Sequence, residues 1–255
     1  MKLFIGIIRT GVLLFLIVLQ GCTFGGDEEK KRPRLGIDPA WYPLNFGERT
    51  PYINGFVEEL LLEMATHEGI EFERIPSNWD TLFSGLHNKK YDAILTSLPP
   101  YSYNLAKYDF SQNFLEIGPV FIVAKESPLK KLDQIKGGAV GIISQDPSWM
   151  ILQNYPNVQI MSFPTIPDLL NAIVNGDVEG ALLERIFAMS YVSDLYVGKL
   201  KIVSGPLTQA GLHLITEKGG QEDLVEMFNE SLKFLQKKKK LQALLQKWSL
   251  NLSQS

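Results

Sequence analysis

Short apolar runs alternate with stretches of helical period along most of this chain. The first run is Leu35 to Ile37, and a loop of prolines and aromatics, Asp38-Pro39-Ala40-Trp41-Tyr42-Pro43, follows it. From Gly55 the apolar positions Phe56, Val57, Leu60, Leu61 and Met64 recur at spacings of three and four, which predicts a helix opening there. A strand FERI begins at Phe72, a second helix buries Leu82, Phe83 and Leu86, and a strand from Tyr91 to Thr96 ends ahead of Pro99-Pro100. The alternation resumes at Pro119 to Ala124, with a short LDQIKG helix from Leu132, strand AVGII from Ala139 and a helix near Trp149. Strand VQIMSF from Val158, a helix from Pro167 to Val174 and strand EGALLE ending at Glu184 complete that part. Gly211 to Thr216 is a returning strand, and two amphipathic helices carry the chain to Trp248. Strands separated by helices in this rhythm define an α/β protein whose helices flank mostly parallel sheets.

Length turns one such unit into two. At 255 residues the chain exceeds a usual single core of about 100 to 150 residues, so two lobes are expected. Lobe one spans residues 35–116 and 209–255, and lobe two spans 117–208, with two crossing strands as the hinge. The amino terminus has its own pattern. Lys2 and Arg9 precede an apolar run from Val12 to Leu19 and then Gln20-Gly21-Cys22, the layout of a secretory signal over residues 1–21. A membrane-spanning reading is poorer, because Arg9 leaves an apolar stretch shorter than the roughly 20 residues a bilayer core needs. Residues 22–34, rich in charge and glycine, read as a tether with nothing to bury.

Composition excludes several classes of function. The formal net charge of −3 offers no basic footprint for nucleic acid. His67, His87 and His213 are scattered without metal-like spacing, and no Cys-His or Ser-His-Asp arrangement presents itself, so neither cofactor nor metal is expected. The run Lys237 to Lys240 reads as the solvated face of a helix. Cys22 is the only cysteine, which leaves the exported part without an internal disulfide. Its place at the end of the signal resembles the lipobox of bacterial lipoproteins, and that likeness implies acylation at Cys22 and a membrane anchor. A buried core cysteine is the plainer alternative.

Several segments together resemble the type II periplasmic solute-binding proteins of the polar amino-acid class, family 3 of the bacterial extracellular solute-binding proteins. They are LGIDPAWYP at Leu35, GFVEELLLEM at Gly55, WDTLFSGLHNKKYDAILTSL at Trp79, YDFSQNF at Tyr108, LDQIKGGAVGI at Leu132, LLNAIVNGDVEGALLE at Leu169 and the closing LQKWSL. Their order and spacing carry the likeness. It implies a clamshell that closes on an amino acid or related amine, a lipid-anchored, extracytoplasmic subunit, and a permease of the ABC importer type as partner. It implies no catalysis. Trp41 and Trp79 match positions where family members set aromatic rings against the ligand, although a tryptophan at either place also has a core reading. Asp38 matches a contact to the ligand side chain, and Glu184 matches the carboxylate that pairs with the ligand's α-amino group. Thr96, Ser97, Asn104, Ser144 and Asp146 fall on the remaining ligand-facing positions. For Glu184 the plain alternative is a solvated pair with Arg185.

The sequence departs from the family where a carboxylate would be gripped. Asn104 stands where the family has an arginine that clamps the ligand's α-carboxylate, and Pro99 and Tyr101 replace two threonines of the same motif. Across the expected cleft, Asp146 and Pro147 replace a turn whose backbone N–H groups would complete the anion site. Asp146 there also reads as a helix N-cap with Pro147 in the first helical position. These changes point to a ligand with amine and aromatic or amide character. Two other readings remain at this stage: a surface lipoprotein that has lost its solute and contacts a protein, and a lyase or dehydratase on the same fold.

Overall fold

The computed structural model describes residues 32–250, so the expected signal, Cys22 and most of the tether lie outside the described residues. The chain runs β1 (Arg34–Ile37), α1 (Thr50–Glu68), β2 (Glu73–Pro76), α2 (Trp79–His87), β3 (Ala93–Thr96), α3 (Ser102–Leu105), β4 (Tyr108–Phe110) and β5 (Leu115–Glu116). It continues through β6 (Pro119–Ala124), β7 (Ala139–Ile143), α4 (Trp149–Leu152), β8 (Gln159–Phe163), α5 (Ile166–Asn175), β9 (Gly180–Glu184), α6 (Arg185–Asp194) and β10 (Leu200–Ile202). It closes with β11 (Gly211–Glu217), α7 (Glu222–Lys237) and α8 (Lys240–Lys247).

Two sheets result. The first has the order β2-β1-β3-β11-β4, with β5 also paired to β11, and the second has the order β10-β6-β9-β7-β8. In each sheet one strand runs against the rest: β11 is antiparallel to β3, β4 and β5, and β6 is antiparallel to β9 and β10. Those two strands are the ones by which the chain enters its new sheet. β6 starts at Pro119, opposite Glu184 at the end of β9. β11 starts at Gly211, opposite Glu116, and soon brings His213 opposite Thr96 at the end of β3. Both sheets therefore turn the carboxyl ends of their parallel strands toward the crossover, which is where α/β sheets bind ligands.

Each sheet buries both faces. Leu35, Ala93, Leu95, Leu212 and Leu214 pack with α1, α7 and α8, while Ile94 and Ile215 pack with Leu82, Leu86 and Tyr91 on the other side. In the second sheet Val120, Ile122, Ala181 and Leu183 meet α5 and α6, and Phe121, Val123, Val140 and Ile142 meet Leu132, Ile135 and Leu152. Such two-sided burial is why the strands read as apolar runs instead of alternating ones.

Local chemistry sets the helix ends. Asn78 accepts a hydrogen bond from the Thr81 N–H at the start of α2, and Thr165 does the same for Asp168 at the start of α5. Gly69 and Gly176 end α1 and α5 in left-handed conformation. Helix α1 corrects the sequence reading, because it opens at Thr50 and not at Gly55. Pro51 suits the first turn, and Gly55 lies inside the helix because the Trp248 ring packs onto it; a Cβ there would come within 2.2 Å of that ring.

Candidate functional site

Loops at the carboxyl ends of β1, β2 and β3 carry the candidate residues of the first sheet, and those after β7, β8 and β9 carry those of the second. In the loop after β1, Asp38 is buried and its Oδ1 accepts the Ala40 N–H at 3.0 Å, which fixes a tight turn. Trp41 is only 2% exposed and packs in the core, and its indole N–H donates to Asn54 Oδ1 at 2.7 Å. The same Asn54 donates to the Pro39 carbonyl, so one side chain of α1 pins the ring and its loop. The structure thus takes the core reading of Trp41, and the exposed aromatic of this loop is Tyr42, at 57%. Tyr42 meets Trp79 edge-on with centroids 5.8 Å apart, and Trp79 in turn meets Phe83 at 4.9 Å. Trp79 is half-buried between these rings at the first position of α2.

The segment after β3 braces itself. Thr96 is buried and its Oγ1 accepts the Leu98 N–H, while Ser97 is half-buried beside it. Asn104 is 7% exposed, and its amide donates to the Pro99 carbonyl at 2.8 Å. It holds the Pro99-Pro100 loop and offers nothing that replaces a guanidinium. The side chains that project from this segment are Tyr101 and Tyr103, at 55% and 62% exposure, with centroids 5.7 Å apart.

In the second sheet, Ser144 is exposed and its hydroxyl donates to the Phe163 carbonyl. Asp146 Oδ1 accepts the Ser148 N–H at 2.7 Å. This corrects the expected cap: α4 begins at Trp149, and Asp146 makes a side-chain turn ahead of it, because Pro147 has no N–H and the first one available is that of Ser148. The result consumes the N–H that an anion would use.

Glu184 ends β9 with its side chain half-buried, and it makes no hydrogen bond or ion pair with the described residues. Arg185, its expected partner in the plain alternative, turns away and pairs with Glu116 at 2.5 Å. Burial, and then the nearby Asp146 carboxylate, push the Glu184 carboxyl up to about 7. A carboxyl in that condition gains most when a cation arrives. Beneath the β3 segment, His213 is buried, its Nδ1–H donating to the Ser111 carbonyl, while its Nε2 has no partner among the described residues. Burial lowers its pKa and keeps it neutral.

A second set of contacts ties the two lobes outside this constellation. Arg49, just ahead of α1, donates to the Ser190 hydroxyl and pairs with Asp194 at 3.4 Å, both on α6. Ile186 of α6 joins the apolar cluster of the first sheet. Among the described residues, no group of three acidic, histidine or cysteine side chains is placed to hold a metal, and no helix is long and apolar enough to cross a membrane.

Two sheets with carboxyl ends turned toward a double crossover, lined by aromatics and acids, define a two-lobed binding protein. Residues 34–251 match the family model of the bacterial extracellular solute-binding proteins, family 3, and the chain belongs to that family. It is 25% identical to the L-cystine-binding protein TcyJ of Escherichia coli strain K12, over 84% of this chain and 81% of that one. It is 24% identical to the arginine-binding extracellular protein ArtP of Bacillus subtilis strain 168, over 97% and 98%. Among solved structures, the L-cystine solute receptor of Neisseria gonorrhoeae in its unliganded open conformation matches with a TM-score of 0.71 at 18% identity, covering 88% of this chain and 95% of that one.

Proposed function

We propose that this chain is the extracytoplasmic, lipid-anchored subunit of an ABC importer and captures an amine-bearing solute between its lobes, with Glu184 as the counter-charge. The observation that carries the reading is the Glu184 carboxylate, half-buried at a strand end and without a cation, while Arg185 is spent on Glu116. Relatives named for cystine and arginine, both amino acids and so amine-bearing, favour a solute with an amine. Lobe one is taken as residues 35–116 and 209–255 and lobe two as 117–208. Tyr42, Trp79, Tyr101 and Tyr103 form an aromatic wall on the first lobe, and Glu184 with Asp146 forms the acidic wall on the second. Asp38, Trp41, Thr96 and Asn104 act as braces behind the aromatic wall. Cys22 is the acylated residue, so Cys22→Ser should move the chain from the detergent to the aqueous phase in a phase-partition assay.

A thermal-shift screen of amino acids, polyamines and peptides tests capture itself. A solute at 100 times its dissociation constant adds about 2.7 kcal/mol of stability. The gain should disappear in Glu184→Gln. A flat response across the panel would favour the reading in which solute binding has been lost.

A further inference from the structure

We infer that the solute is an organic cation with no free carboxylate beside its amine. The inference rests on Glu184 as the counter-charge and adds what the rest of the solute must look like. A free α-amino acid brings a carboxylate as well as an amine, and a buried carboxylate needs a cation or several N–H donors.

The site supplies no free cation, and several of its donors are already engaged. Residues 38–43, 77–79, 97–104, 144–148 and 164–165 contain no lysine or arginine, and the loop after β1 reaches one only at its far end, Arg49. Arg185, next to Glu184, is held by Glu116, and Arg49 is held by Ser190 and Asp194. Several donors are spent in the same way. Asp146 takes the Ser148 N–H, Pro147 has none, the Thr165 hydroxyl donates to Asp168 of its own helix, and the Asn104 amide serves the Pro99 carbonyl. What is left carries no positive charge: a few neutral polar side chains, acids and aromatics. Asp146 stands close enough to Glu184 to act on it electrostatically, so a ligand carboxylate entering beside them would add a further negative charge to an acidic wall. An amine satisfies both acids, and the exposed faces of Tyr42, Tyr101 and Tyr103 attract a cation or a flat group.

Matched pairs test this, with the full-length chain held in a non-ionic detergent and titrated calorimetrically. Suitable pairs are arginine and agmatine, lysine and cadaverine, tyrosine and tyramine, and cystine and cystamine, with argininamide as a masked carboxylate. In any pair that binds, the decarboxylated member should bind at least tenfold tighter, and Glu184→Gln should abolish the binding. A parent amino acid that binds as tightly as its amine, or more tightly, overturns the inference while leaving solute capture standing. Binding that survives Glu184→Gln, or silence from every pair, overturns the reading of Glu184 and the inference with it.

Discussion

At the scale of single residues, the Glu184 carboxyl costs the unliganded fold stability once it ionises. Its carboxyl is raised from 4.5 to about 7, so the fold favours the protonated form. The sign follows from linkage: the contribution is fully present below pH 4.5 and is lost as pH rises through 7, where ionisation occurs without a partner. Glu184→Gln should therefore raise the stability of the unliganded protein at pH 8, by on the order of 2 to 3 kcal/mol, and leave it unchanged near pH 4. Urea unfolding at the two pH values reads the difference, and a variant less stable than the parent at pH 8 would remove the idea. Sequence pointed to Glu184 through the family resemblance, which matches it to an amine-pairing carboxylate at the end of an apolar run. It could not give the orientation of Trp41, because the choice of which ring turns inward is made by Asn54 on the next helix. It likewise could not show that Asn104 and Asp146 spend their polar atoms on their own loops.

At the scale of elements, the site depends on how closely α2 sits on the first sheet. The ring of the buried Tyr91 lies between Gly36 of β1 and Gly85 of α2, and its hydroxyl donates to the Leu82 carbonyl at 2.7 Å. A Cβ at Gly85 would come within 2.1 Å of that hydroxyl. Alanine gains about 1 kcal/mol in a helix over glycine, but overpacking costs about 1 to 3 kcal/mol, and Tyr91 is fixed by its own hydrogen bond. Gly85→Ala should accordingly be net destabilising in denaturant melts and should weaken solute binding, since α2 carries Trp79. Gly85→Ala in a Tyr91→Phe background should recover part of the loss. The strands and long helices were legible as apolar runs and helical periods. Shorter elements were not: α3 and β4 are of four and three residues, and α6 follows β9 with no intervening turn to mark it.

At the scale of the whole molecule, the two sheets and the double crossover were visible as one alternation repeated along the chain. Which strand runs backward was not, since β6 and β11 carry the same apolar signature as their parallel neighbours and only the crossover reverses them. Arg49 shows how the lobes meet. Its guanidinium spans from the start of α1 to Ser190 and Asp194 on α6, with Asp194 largely exposed. An exposed pair of this kind contributes about 0.2 to 1 kcal/mol, so Arg49→Ala should loosen the lobes and weaken solute binding by no more than about fivefold. Single-molecule energy transfer between dyes on the two lobes should show more of the open form. No change in either measure would make the contact incidental.

The central claim, that Glu184 meets the cation, has a direct calorimetric signature. At pH 6 the free carboxyl, with its value raised to about 7, is mostly protonated, and an arriving amine drives it to the ionised form. Titrating the amine that binds in buffers of different ionisation enthalpy should show close to one proton released per solute, falling toward zero at pH 9 and absent in Glu184→Gln. Binding at pH 6 with no proton release would contradict the account.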